Sequence, residues 1–330
     1  MTTPVSSRRV GASGLLVSPV GLGCNNFGRA GTKTESLEGT REVLDAAIDA
    51  GVTFLDTADM YGKDPGQSEA LMGEALRGRR DQVILATKFG HFGRDIGYPV
   101  SGAKASRSYI RQAVEGSLTR LQTDWIDLYQ LHTPDPLTPI EETLDALGDL
   151  VREGKVRYIG HSNLGGWQIA EAHFVAAERA GIPFVSAQNH YSLLARAAER
   201  DVLPAVRRFG LGFFPFFPLH NGLLTGKFTR ESAPADSRIM RQRPHVYADA
   251  PWDALDAFRA FSDERGITLL EATFGWLLAQ PSLSSVIAGA TSAEQVRANA
   301  AAAVAWTPTA EDLAEIDALF PLPEDPGARV

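Results

Sequence analysis

A chain of 330 residues, 44% hydrophobic and 22% charged, has ordinary globular composition and enough length for a large core. A net charge of −8 with no run of Lys or Arg makes nucleic acid and anionic membranes poor partners. One cysteine, Cys24, excludes an intrachain disulfide and any CxxC motif; with no apolar signal core and no stretch of about 18 apolar residues, a soluble, cytoplasmic protein is expected.

In chain order, residues 8–18 read as a short hairpin turned by Gly11 to Gly14, placed to plug the bottom of a barrel. Short β-branched or apolar runs then alternate with helix-period segments. The candidate strands are VGLG (20–23), VTFLD (52–56), VILATK (83–88), WIDLYQLH (125–132), VRYIG (156–160), FVSAQ (184–188), LGFFPF (211–216) and SVIAG (285–289). Most are nearly continuous apolar runs, as suits parallel strands covered on both faces. Between them, YIRQAVEGSLTRLQ puts Ile110, Val114, Leu118 and Leu121 on one helix face. TPIEETLDALGDLV opens with a predicted capping box: Thr138 at the cap, Pro139 at the first helical position, Glu141 three residues after the cap. Most strand-to-strand intervals are roughly 30 residues, the length of a βαβ unit. Eight such units predict a closed (β/α)8 TIM barrel. No composition shift divides the chain, so residues 1–330 read as a single barrel domain, with an insertion at about 228–250 and a tail at 321–330. The insertion is polar and proline-rich, and reads as a surface loop or as a lid.

Working residues of such barrels sit where strands end. Here the ends carry Asp56, Asp59 and Tyr61 after the second barrel strand, Lys88 after the third and His132 after the fourth. Ser162 and Asn163 follow the fifth, Gln188, Asn189 and Tyr191 the sixth, and Phe216 and Phe217 the seventh. Singly these are weak signals: Asp56 reads equally as a turn former, Lys88 as a solvated strand exit, His132 as a core histidine. Jointly they bring a carboxylate, a lysine, a tyrosine and a histidine to one mouth. A nearby ammonium lowers a phenol's pKa, and a carboxylate keeps that ammonium charged. The expected product is a proton donor poised for a developing alkoxide, an array suited to carbonyl reduction given a hydride source.

GLGCNNFG, FLDTADMYG followed by GQSEALMGEAL, ILATKFG, WIDLYQLHTPD, GKVRYIGHSN, NGLLTGK and GATSAEQVRAN together resemble the aldo-keto reductases, most of all the branch of the potassium-channel β subunits and related bacterial reductases. The resemblance runs from about residue 8 to 320. It implies Tyr61 as general acid, Lys88 as its pKa-lowering partner, Asp56 as the lysine's counter-ion and His132 as the substrate-orienting group. Asp59 also matches a family position and is assigned to turn geometry.

The resemblance further implies a nicotinamide cofactor, NADP(H) in preference to NAD(H). Ser162, Asn163 and Gln188 match positions that bind the carboxamide, and Phe216 falls where an aromatic ring stacks on the nicotinamide. Leu219, Gly222, Leu224 and Lys227 lie in the loop that crosses the pyrophosphate. Gly289, Thr291, Gln295 and Asn299 fall at the adenosine end, where Ser292 and Gln295 also read as a capping box. Gly289 and Gln295 replace the Lys and Arg that many family members direct at the 2′-phosphate, and Phe217 stands where serine is common. Phe27, Phe92, Phe217 and His220 are the expected walls of the substrate pocket, which favours aromatic or aliphatic aldehydes.

Two rival readings follow from the same residues. Five of seven histidines, His91, His132, His161, His190 and His220, fall near strand ends, as in metal-dependent barrel hydrolases, but no HxH pair follows the first strand, and no metal is expected. A non-catalytic cofactor-binding regulatory subunit is the other, and the intact set of four polar residues argues against it. GLGCNN fails the dinucleotide-binding pattern at its last glycine, GHSNL falls short of a nucleophile elbow, and Cys24 reads as packing. The expected partner is a small-molecule carbonyl compound; no feature of the sequence specifies an oligomer.

Overall fold

The computed structural model describes residues 7–98, 103–235 and 237–322. Of the tail expected at 321–330, residues 323–330 lie outside the described residues. The chain forms a (β/α)8 TIM barrel preceded by an antiparallel hairpin. The hairpin strands are β1 (Arg8–Arg9) and β2 (Leu16–Val17). The barrel strands are β3 (Val20–Gly23), β4 (Phe54–Asp56), β5 (Ile84–Phe89) and β6 (Ile126–Leu131), then β7 (Val156–Ser162), β8 (Ser186–His190), β9 (Gly212–Phe216) and β10 (Val286–Gly289). All eight expected barrel strands are present. Neighbours pair in parallel in the order β10-β3-β4-β5-β6-β7-β8-β9, and a parallel bridge between Phe213 and Leu283 joins β9 to the approach of β10.

Two apolar layers hold the barrel, as its continuous strand pattern requires. The outer layer lies between strands and helices: the helix Arg107–Leu121 buries Ile110, Val114, Leu118 and Leu121 on the face read from its period. The inner layer fills the bottom, where Val10, Leu15 and Val17 of the hairpin pack on Phe54, Leu128, Phe214 and Ile287. The hairpin is therefore the plug that the sequence predicts. Gly11 makes its turn possible, with φ of +54° and a Cβ position only 2.3 Å from the carbonyl oxygen of Gly210. A cavity of about 480 Å³ lies at this same end, against Arg8, Gly11, Arg207 and Ser284, remote from the strand ends that carry the polar residues.

Two helix starts differ from expectation. The helix Ile140–Arg152 is capped by Pro139 without a side-chain bond. The Thr138 hydroxyl instead donates to Asp135, 2.9 Å away, so the predicted box does not form. At the helix Ala293–Ala305, Ser292 accepts from the Gln295 N–H at 3.4 Å, but the Gln295 side chain accepts from the N–H of Thr291 rather than of Ser292. That box is half formed.

The insertion at 228–250 carries two short helices, Arg238–Gln242 and Pro244–Ala248. Phe228 and Ile239 bury themselves with Leu223 of the preceding loop, so this segment is a packed excursion. Among the described residues no helix is long and apolar enough to cross a membrane.

Candidate active site

The strand ends at the C-terminal mouth bring the expected polar residues together. Parallel register sets Asp56 at the end of β4 and Lys88 near the end of β5, both buried. Lys88 Nζ lies 2.6 Å from Asp56 Oδ2 and donates to the Thr57 carbonyl at 3.0 Å. The other Asp56 oxygen accepts from Gln130 Nε2 at 3.2 Å and Gln188 Nε2 at 3.0 Å. Every charge in this buried pair thus has partners, the condition under which such a pair is tolerated. Burial pulls the Lys88 pKa down, but Asp56 and Tyr61 outweigh it and hold the ammonium above its ordinary value.

Tyr61 is half-buried, with Lys88 Nζ 5.2 Å from its ring centroid. Lys88 lowers the phenol's pKa by charge and hydrogen bonding, as expected of it, but burial is the larger effect and the net direction is above the ordinary 10.0. His132 stands edge-on to Tyr61, with ring centroids 5.8 Å apart. Burial first, then the Lys88 charge, hold it well below 6.5, so the imidazole is neutral. Its Nδ1 has no protein partner. A protonated phenol, an ammonium and a neutral imidazole therefore surround one volume, and together they can hydrogen-bond and protonate a carbonyl oxygen.

Residues 19–320 match the model of the aldo/keto reductase family. The chain belongs to that family. It is 39% identical over 297 residues to "Uncharacterized oxidoreductase YrpG" of Bacillus subtilis (strain 168), covering 87% of this chain and 88% of that protein. It is 33% identical over 323 residues to "L-glyceraldehyde 3-phosphate reductase" of Escherichia coli O157:H7, covering 94% and 91%. A "Probable voltage-gated potassium channel subunit beta" of Oryza sativa subsp. japonica is 33% identical over 305 residues, covering 88% and 89%. Family membership makes the protein an oxidoreductase of the aldo/keto reductase kind.

Ser162 and Gln188 face each other across the neighbouring strands β7 and β8. Ser162 donates to the Gln188 carbonyl at 2.7 Å, and Asn163 Nδ2 donates to the His132 carbonyl at 2.9 Å. Asn163 holds a left-handed φ of 64°. Phe216, at the end of β9, stacks on His190 at 5.5 Å. The next turn is strained: Phe217, His220 and Asn221 have φ of 51°, 43° and 58°, ahead of Gly222 at 110°. Leu219 is half-buried, while Lys227 is exposed. Leu224 departs from expectation. Its side chain is fully buried, its N–H donates to Leu219 and its carbonyl accepts from Thr273, so it anchors the loop from below. At the other end, Gly289 is exposed, Thr291 is half-buried and Asn299 is buried on the helix that also carries Gln295.

Of the expected pocket walls, Phe92 is 57% exposed and Phe217 and His220 are half-buried, whereas Phe27 has no exposed surface and belongs to the main core. Phe27 is therefore not a wall. The histidines fall into separate pairs, His91 with His132 at 4.7 Å and His190 with His220 at 5.8 Å, while His161 packs on Phe184. Among the described residues no three His, Cys, Asp or Glu form a metal-binding group.

Sequence reasoning missed Gln130, which braces Asp56. The signal was present: YQLH interrupts an apolar strand with two polar residues on one face. Asp59, given no chemical role, donates its N–H to the Lys88 carbonyl at 3.0 Å and keeps both carboxylate oxygens buried and unpartnered. Burial, then the Glu69 charge, push its carboxyl well above the ordinary range.

Proposed function

We propose that the protein is a nicotinamide-dependent carbonyl reductase that converts aldehydes or ketones to alcohols, with NADPH preferred and NADH the alternative. The observation that carries this reading is the Asp56–Lys88 pair of 2.6 Å set beneath Tyr61, with neutral His132 against the same ring.

Fit to a dinucleotide is supported by the polar atoms left over at the mouth. His220 Nδ1, Asn221 Oδ1, His190 Nε2 and Arg238 Nε are buried without partners, and such atoms are costly unless something completes them. Ser162, Asn163, Gln188 and Phe216 would hold the nicotinamide, Leu219, Gly222 and Lys227 the pyrophosphate, and Gly289, Thr291, Gln295 and Asn299 the adenosine. When bound, a reduced nicotinamide supplies hydride to the carbonyl carbon. The chain's own work is at the oxygen. Tyr61 donates its hydroxyl proton there as charge develops, and the Lys88 ammonium stabilises the phenolate left behind. Asp56 keeps Lys88 fixed and charged. His132, neutral, donates a hydrogen bond that orients the carbonyl. Phe92, Phe217 and His220 give the substrate an apolar rim.

The test is a panel of aromatic, aliphatic and phosphorylated aldehydes assayed with NADPH and with NADH. Two relatives are named as L-glyceraldehyde 3-phosphate reductases, so that triose phosphate belongs in the panel. Oxidation of either nucleotide, dependent on aldehyde and protein, is the expected result. A purified protein that oxidises neither nucleotide with any member contradicts the reading.

A further inference from the structure

The cavity of about 480 Å³ under the barrel lies at the opposite end from Tyr61 and has a chemistry of its own. Three chain segments wall it: the hairpin with Arg8 and Arg9, the end of the helix Val202–Phe209 with Arg207, and the approach to β10 with Ser282 and Leu283. Its volume falls within the about 300–1,000 Å³ of small-molecule sites. The chain has a net charge of −8, yet this lining holds three arginines and no Asp or Glu. Arg8 is half-buried. Its Nε donates to the Leu283 carbonyl at 3.2 Å, and its Nη2 to the carbonyls of Leu283 and Leu278 at 3.0 and 3.1 Å. These carbonyls fix the fork without neutralising it. Burial pulls the Arg8 pKa below its ordinary value, and no carboxylate acts to raise it. Arg207 is exposed, and its Nε donates to the Leu203 carbonyl one turn back at 3.3 Å. Among the described residues neither arginine pairs with a carboxylate. A basic side chain near a helix C-terminus complements the helix dipole, which accounts for Arg207 but not for Arg8. A fixed, half-desolvated charge without a counter-ion is costly, and a bound anion offsets that cost. Guanidinium forks match carboxylate and phosphate oxygens.

We propose that Arg8 and Arg207 form a second binding site, under the barrel and away from Tyr61, for a small molecule carrying two phosphate or carboxylate groups. Two anionic groups match two guanidinium groups that come from separate segments. The proposal stands apart from the carbonyl-reductase reading. A ligand here would tie the plug to the helix Val202–Phe209 and to the approach of β10. It would bind the folded chain and not the unfolded one, so occupancy raises stability by mass action.

The experiment titrates the full chain with pyrophosphate, succinate and orthophosphate by calorimetry, with and without saturating NADPH. Thermal unfolding midpoints are measured at the same ligand concentrations. The proteins are the wild type, Arg8→Gln, Arg8→Lys and Arg207→Gln. The wild type is expected to bind pyrophosphate or succinate about tenfold or more tightly than orthophosphate, equally well with NADPH present, and to unfold at a higher temperature when it does. The tighter of the two probes tells a phosphate ligand from a carboxylate one. Each Gln variant is expected to bind that probe about tenfold more weakly, the size of a charge-assisted hydrogen bond, with Arg8→Lys intermediate. Arg8→Gln gives up contacts that hold the plug; if it does not fold, Arg207→Gln, at an exposed position, decides. Neither heat nor a midpoint shift with pyrophosphate and succinate in the wild type overturns the proposal. So does equal affinity in the wild type and Arg207→Gln. Binding that disappears when NADPH is present also overturns it and moves the anion to the mouth. None of these outcomes depends on whether an aldehyde is reduced.

Discussion

Tyr61 and His132 illustrate how environment sets protonation at single residues. Burial raises the phenol above 10.0 against the pull of Lys88, and burial with the same ammonium drives the imidazole far below 6.5. In reduction the useful forms are protonated Tyr61 and neutral His132. A donor with a raised pKa keeps its proton until pH passes that value, and a histidine with a depressed pKa stays neutral until pH falls below it. Both forms therefore persist through the neutral range. The expected kcat/KM profile for aldehyde reduction is flat between about pH 6.5 and 9.5 and declines only beyond it. A limb centred near pH 7 in a steady-state profile contradicts this assignment. Lys88 appears in both shifts, which makes its ion pair with Asp56 the electrostatic centre of the site.

Elements place these residues, and the elements were largely legible. Parallel strands buried on both faces read as continuous apolar runs, so β3 to β10 stand out, and most end at or beside a polar residue. What was not legible is competition between neighbouring acceptors. Thr138 loses its cap role because Asp135 captures its hydroxyl, and Gln295 reaches Thr291 instead of Ser292. Leu224 and Phe27 look like contact residues by position, yet both are fully buried, and a linear pattern does not report which way a loop side chain turns. The hairpin offers a clean test at this scale. A methyl at Gly11 would sit 2.5 Å from the Gly212 nitrogen as well as against Gly210. Gly11→Ala is expected to lower the unfolding free energy by about 2 kcal/mol or more in urea titration. Its KM for aldehyde is expected to stay near the wild-type value, because the plug lies at the opposite end from the mouth. An unchanged urea midpoint contradicts the close packing of the plug.

Across the whole molecule, the apolar plug and the proposed chemistry occupy opposite ends of one barrel. The N-terminal end is closed by an apolar plug, and the C-terminal end keeps buried polar atoms without partners and strained backbone at 217–222. Such a division suits a scaffold whose loops vary around a fixed proton donor. Its central claim is that Tyr61, backed by Lys88, Asp56 and His132, protonates a carbonyl oxygen. The most direct measurement is turnover and NADPH affinity of Tyr61→Phe beside the wild type. Loss of one general acid is expected to lower kcat by about 10² to 10⁴, with NADPH binding by fluorescence titration nearly unchanged. Wild-type turnover in Tyr61→Phe would contradict the account.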